Sequence, residues 1–216
     1  MQHRSAKKDD ITLRALEILK RVDLVLCEDT RHSGQLLTSF QIKKPLLSLH
    51  EHNEVERIPE IITRLKSGEN IALISDAGTP LISDPGFKLV REARKEQLEI
   101  RAIPGPAAIT AALSVAGLPT DKFLFVGYLP KTSGKREELL KKLAEVKKIL
   151  PQTLVIYESP HRIEKTLADL TRYFPQSQAS LQRELTKLHE EVINQTIPEL
   201  KNSLKSTRGE FTLVIY

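Results

Sequence analysis

A chain of 216 residues with 40% apolar content can build one large or two small cored domains, and its longest apolar runs are far too short to span a bilayer. A single cysteine, Cys27, excludes an internal disulfide, and with no signal-peptide pattern at the start a reducing, cytoplasmic setting is expected. The formal charge of +5 permits a polyanionic partner such as RNA without requiring one.

Residues 1–8, MQHRSAKK, are polar and basic without apolar periodicity and read as a loosely held start. From Ile11 to Val22 apolar residues recur at helical spacing, and the run DLVLC at 23–27 predicts a short buried strand. It ends in Glu28-Asp29-Thr30-Arg31-His32, polar groups at the C-terminal end of a strand, where open α/β sheets place working residues. A solvated loop with an Asp29–Arg31 pair fits the same spacing. A helix to Phe40 and a strand at 45–49 lead to His50-Glu51-His52-Asn53. Histidines at i and i+2 on a strand point to opposite faces, and no further ligand stands at a recognisable spacing, so no metal site is expected. An amphipathic helix over 55–66, stopped at Gly68, returns the chain to an apolar strand at 71–74.

The twelve residues that follow, SDAGTPLISDPG at 75–86, are not written like a core element: they hold two Gly, two Pro and two Asp. Small residues at a strand end let backbone groups approach a flat ligand closely. Asp84-Pro85 has the form of an N-cap followed by Pro at the first position of the next helix, 87–97. A strand is expected at 99–103. Pro104-Gly105-Pro106-Ala107-Ala108 then opens an Ala-rich helix to Ala116, a second strand, glycine-bearing loop and helix. Two such loops in one sheet suggest a single ligand between them, although close helix packing also favours alanine.

FLFVGYL at 123–129 reads as a strand, 130–136 as a polar break and 137–148 as a charged helix ended by Pro151. The composition change places a domain division in this region, giving domains 1–121 and 122–216. Lys131, Lys135 and Arg136 in the break are the candidates for phosphate contacts, whereas the lysines of the helix alternate with glutamates as on a solvated face. Gly134-Lys135 lacks the spacing and the Ser or Thr of a P-loop, and no G-x-G-x-x-G follows a strand. Strands at 153–157, 178–182 and 211–216, with helices from 158–173 and from Pro198, fit a mixed sheet with helices on its faces.

Six stretches in order, CEDTRH, SDAGTPLISDPG, PGPAAITAALSVAGLP, GYLPKTSGKR, YESPHRI and RELTKLHEE, resemble the tetrapyrrole-methylase family over about residues 10–216. The resemblance implies a two-domain α/β fold with a mostly parallel N-terminal sheet and a mixed C-terminal sheet. It implies S-adenosylmethionine held in the cleft between the domains, a cytoplasmic homodimer, and methyl transfer to the 2′-hydroxyl of a cytidine in small-subunit ribosomal RNA. By position, Ala77, Gly78, Thr79, Pro80 and Ile82 would line the cofactor from the first loop, Pro104, Gly105, Pro106, Ala107 and Ala108 from the second, and Glu158 from the second domain. Asp29, Arg31, Lys131, Lys135, Arg136 and Arg162 would face the RNA. Glu158, Asp84 and Asp29 stand as alternatives for the group that takes the hydroxyl proton.

The chain departs from the family at its start. Family members carry an apolar first strand and a loop of the type GTPIGN before the segment that reads DITLRA here, and MQHRSAKK stands in its place. The expected consequences are an exposed sheet edge and weakened activity. Two other functions fit the same fold: a methyltransferase acting on a tetrapyrrole, and a non-catalytic RNA-binding protein.

Overall fold

The structure is a computed structural model that describes residues 8–216, so the loosely held start expected over residues 1–8 lies, but for Lys8, outside the described residues. The chain divides into two compact units, Met1–Ala107 and Ala108–Tyr216.

In the first unit a 3-10 turn at Lys8–Asp10 precedes α1 (Leu13–Arg21), β1 (Leu24–Cys27), α2 (Thr30–Ser39), β2 (Leu46–Ser48), α3 (Glu54–Lys66), β3 (Ile71–Leu73) and α4 (Phe87–Lys95). The three strands form a parallel sheet in the order β2-β1-β3, with Val25 opposite Leu46 on one side and Ala72 on the other. The central strand is buried on both faces, which is why its sequence is an unbroken apolar run rather than an alternation. Leu24 and Leu26 pack with Ile61 and Ile62 of α3 and Leu89 and Ala93 of α4. Val25 packs oppositely, with Leu19 of α1 and Leu37 of α2. Cys27 is buried and free, and burial holds its thiol above the ordinary value.

The strand expected at 99–103 is not formed. Leu98 and Ile100 do lie against the same core layer as Ile71 and Leu73, so the apolar pattern reports burial correctly. A strand also needs a ladder partner, and among the described residues none pairs with this segment. A cavity of about 690 Å³ lies beside it, lined by Arg14, Glu17 and Ile18 of α1 and by Arg101, Ala102 and Ile103.

The second unit contains α5 (Ala108–Ala116), β4 (Phe123–Tyr128), α6 (Ser133–Ile149), β5 (Thr153–Glu158), α7 (Ile163–Tyr173), β6 (Gln178–Arg183), β7 (Glu191–Thr196), α8 (Ile197–Ser203) and β8 (Phe211–Ile215). Its sheet runs β4-β5-β8-β6-β7, with β4 and β5 parallel and the remaining pairs antiparallel. This is the mixed sheet expected from the sequence. Leu154 and Ile156 face a core built with α6, α7 and α8, while Val155 and Val214 pack on Ala112, Leu113 and Ala116 of α5. That packing draws α5 into the second unit. No helix among the described residues is long and apolar enough to cross a membrane.

Helix α6 starts four residues before the expected 137. The N–H of Arg136 bonds to the carbonyl of Thr132 at 3.0 Å, closing the first turn and taking Ser133, Gly134, Lys135 and Arg136 out of the polar break.

Candidate functional site

The two glycine-bearing loops meet within the first unit. Thr79 Oγ1 donates to the carbonyl of Pro106 at 3.0 Å, so residues 75–86 and 104–107 share one rim. Inside the first loop Ser75 Oγ donates to the carbonyl of Gly78 at 3.1 Å, and Gly78 takes a φ of +87° that L side chains rarely adopt. A Cβ at Gly78 would come within 3.8 Å of Pro106 O, and one at Gly105 would meet nothing within 4 Å. The backbone there borders open space, a cradle that side chains would fill. Ala77, Gly78, Ile82, Pro104, Gly105 and Pro106 are exposed, Thr79, Pro80 and Ala107 half-buried, and Ala108 begins α5 in the second unit. Leu81 and Ser83 have φ of 75° and 66°, unusual for residues with side chains and a cost the surroundings must sustain.

Asp84-Pro85 does not cap α4 as expected. Gly86 is the N-cap residue, at φ 117°, where a Cβ would fall 2.6 Å from Leu73 Cδ2. Glycine has no side chain to cap with. Glu54 of α3 supplies the missing acceptor: 4% exposed, it takes the N–H of Leu89 on Oε1 at 3.1 Å. The sequence places Glu54 just ahead of the amphipathic helix expected over 55–66, and nothing local marks its partner.

At the C-terminal end of β1, Asp29 caps α2, accepting the N–H of Arg31 at 2.8 Å, and Arg31 Nη2 closes a pair with Asp29 Oδ2 at 2.9 Å. The hydrogen bonds from Arg31 lower the Asp29 carboxyl to about 2. The Asp29–Arg31 pair expected here is formed, at the start of α2 rather than in a solvated loop. Glu28 differs. It is half-buried and makes no ion pair among the described residues. Burial and the neighbouring Asp76 charge push its carboxyl above the ordinary value, against the Asp76 backbone and His50. Asp76 Oδ1 and His50 Nδ1 are buried with no hydrogen-bond partner among the described residues. His50 is held by Asn53, whose Oδ1 accepts its N–H at 2.8 Å.

In the second unit Lys131 and Lys135 are exposed and make no ion pair among the described residues. Arg136 is a correction. It is 2% exposed, its Nε donates to Asp169 of α7 at 2.6 Å, and its Nη1 donates to the carbonyls of Pro130 and Lys131 at 3.2 Å each. Because α6 begins at Ser133, position 136 faces the interior, and it cannot meet an RNA phosphate. Arg162 is likewise committed: its Nη2 donates to Leu129 O at 2.6 Å and Glu158 Oε2 at 3.0 Å. The Glu158 side chain is fully buried and also accepts from Ser159 N and Thr166 Oγ1. Its carboxylate is occupied in holding β5 to the start of α7, which corrects its expected place against a cofactor.

Among proteins of known family, the model described as Tetrapyrrole (Corrin/Porphyrin) Methylases matches residues 6–201. A protein named Ribosomal RNA small subunit methyltransferase I from Xylella fastidiosa is 47% identical over 211 residues, covering 95% of this chain and 76% of its own. One of the same name from Thermotoga maritima is 43% identical over 209 residues, covering 96% and 92%. Among solved structures, uroporphyrin-III-C-methyltransferase from Thermus thermophilus superposes with a TM-score of 0.64 at 21% identity, covering 96% of this chain and 88% of that one. Diphthine synthase gives 0.72 at 18%, covering 96% and 84%. At such identities these structures speak for the fold alone.

Proposed function

The chain belongs to the tetrapyrrole (corrin/porphyrin) methylase family and is an S-adenosylmethionine-dependent methyltransferase, and we propose that it methylates the 2′-hydroxyl of a cytidine in small-subunit ribosomal RNA. The single observation that carries the reading is the Thr79 to Pro106 hydrogen bond, which joins two small-residue loops around one open cradle. Ala77, Gly78, Thr79, Pro80 and Ile82 would hold the cofactor with Pro104, Gly105, Pro106 and Ala107. When bound, it supplies a methyl carbon made electrophilic by the adjacent sulfonium. The protein's own share is to align that carbon with the hydroxyl and exclude water.

The substrate assignment draws on the ribosomal RNA named for relatives at 43% and 47% identity. It also draws on Lys131 and Lys135, exposed and without an ion pair among the described residues, which suit phosphates better than they suit a macrocycle. Arg31 would reach RNA with its charge partly met by Asp29. A ribosomal substrate supports a cytoplasmic location, and the family resemblance supports the homodimer, which sedimentation velocity tests.

Calorimetry with S-adenosylmethionine, followed by transfer of its labelled methyl group to undermethylated small subunits, tests the reading. Cofactor binding and a 2′-O-methylcytidine in the RNA digest are expected. Gly105→Val should weaken cofactor binding at least about ten-fold with thermal unfolding little changed, because a Cβ there meets no protein atom within 4 Å. RNA binding without cofactor binding favours the non-catalytic relative, and methyl transfer to a tetrapyrrole alone overturns the RNA substrate.

A further inference from the structure

We propose that Tyr128 is a stacking platform for an unpaired base of the RNA substrate, with Lys131 taking the phosphate beside that base, an assignment that deepens the ribosomal RNA reading above and rests on it. The contact is binding and not chemistry: the π-face of the base lies on the phenol ring while the ammonium meets the backbone charge.

The register of β4 puts the ring where a base can reach it. β4 is an edge strand of the second sheet, and its pairing with β5 shifts by one residue between Phe125 and Gly127, so that Phe125 lies opposite Val155 and Tyr128 opposite Tyr157. In an unbroken ladder Phe125 and Tyr128 would fall on opposite faces, and Tyr128 would share the face of Val126, which packs against the core built with α6, α7 and α8. The extra residue turns it instead onto the face where Phe125 and Val155 pack on α5. There Tyr157 meets two rings edge to face, Phe125 at 4.9 Å and Tyr128 at 5.9 Å between centroids. Phe125 and Tyr157 are half-buried, whereas Tyr128 ends the row 53% exposed. An edge-to-face neighbour fixes the tilt of the ring and leaves ring surface in solvent.

The turn after the ring is pinned as well. Arg162 Nη2 donates to the carbonyl of Leu129 at 2.6 Å, and Arg136 Nη1 to those of Pro130 and Lys131 at 3.2 Å each. The two arginines are themselves held by the carboxylates of Glu158 and Asp169, side chains 0% and 9% exposed. Three successive carbonyls from Leu129 to Lys131 are therefore fixed, and the Cα atoms of Tyr128 and Lys131 are at most about 11 Å apart. Lys131 is exposed and makes no ion pair among the described residues. A ring and a backbone turn already in place lose little freedom when a ligand binds. The ammonium beside the ring favours a polyanion over a second copy of this chain, whose formal charge is +5.

Tyr128→Ala, Tyr128→Phe and Tyr128→Trp test the platform by filter binding to small-subunit RNA over a series of salt concentrations. The alanine variant is expected to bind about 5-fold to 100-fold more weakly with an unchanged salt slope, since it loses a stacked ring and no phosphate contact. The phenylalanine variant keeps the ring and should bind within about two-fold of wild type. The chain has no tryptophan, so Tyr128→Trp carries the sole indole. A single-stranded oligoribonucleotide should quench its fluorescence, and the same strand annealed to its complement much less. If the alanine variant fails to fold, the quenching decides. Alanine-variant binding within about two-fold of wild type, or an indole that the single strand leaves unquenched, overturns the platform. Methyl transfer to the RNA by the wild type then keeps the ribosomal reading intact. A Tyr128→Ala variant that loses self-association in sedimentation velocity and retains RNA affinity assigns the ring to a second copy and overturns the platform too. Wild type that neither binds nor methylates small-subunit RNA overturns both.

Discussion

Glu54 serves an amide 35 positions along the chain, and its energetic role follows from that one contact. Helix α4 starts at a glycine that offers no side-chain acceptor, so without Glu54 the N–H of buried Leu89 would lose its acceptor. An orphaned buried donor costs about 1–3 kcal/mol, and a negative charge at a helix N-terminus adds a smaller favourable term. Glu54→Ala should therefore lower stability by about 1–3 kcal/mol, and Glu54→Gln, which keeps an oxygen in place, by less. Urea unfolding of the three proteins checks the order; equal midpoints for Glu54→Ala and wild type would remove the cap. At this scale the sequence was legible where chemistry is local. The small residues around Gly78 and Gly105 mark close backbone approach whatever lies beyond them. The contrast between Glu28 and Asp29 was not legible, because it depends on Arg31 folding back onto one carboxylate while Asp76 crowds the other.

Helices α6 and α7 are joined through the Arg136–Asp169 pair, with side chains 2% and 9% exposed. The arginine also fixes the carbonyls of Pro130 and Lys131, so the same contact shapes the turn that presents Lys131. Removing one partner leaves a buried charge without a counterion, which costs about 3–5 kcal/mol. Asp169→Ala is expected to lose that much in chemical denaturation. Arg136→Met/Asp169→Leu should lose less, since no charge is stranded, and a double variant as unstable as the single one would argue against this account. The elements themselves were mostly readable. Apolar runs at 24–27 and 153–157 became central strands because both faces of each sheet are covered by helices. The segment 99–103 keeps Ile100 and Ile103 half-buried and is no strand, since hydrogen bonding to a neighbour is not encoded in the segment itself. Arg136 was misplaced by the start of one helix: in a loop it would be a surface cation, whereas four positions into α6 it points at Asp169.

Across the whole molecule the formal charge of +5 is spread unevenly in its availability. Lys142 and Lys148 of α6 pair with Glu138 and Glu145, and Lys95 of α4 pairs with Glu92, so these cations are partly met by near neighbours. Arg136 and Arg162 are spent inside the second unit. Lys131, in the turn before α6, and Lys135, in its first helical turn, remain exposed and unpaired among the described residues, as does Lys141 further along the helix, so phosphate contacts are available where the chain enters α6. Each phosphate neutralised by a lysine releases condensed counterions and contributes roughly 0.7–0.9 to the slope of log affinity against log salt. Lys131→Ala/Lys135→Ala should therefore flatten that slope by about 1.5 in binding to small-subunit RNA. Lys142→Ala/Lys148→Ala should change it much less, because those ammonium groups already have carboxylate partners. Filter binding over a series of salt concentrations measures both slopes. Equal slopes for the two double variants would move the RNA contact away from the β4–α6 turn and onto the helix face.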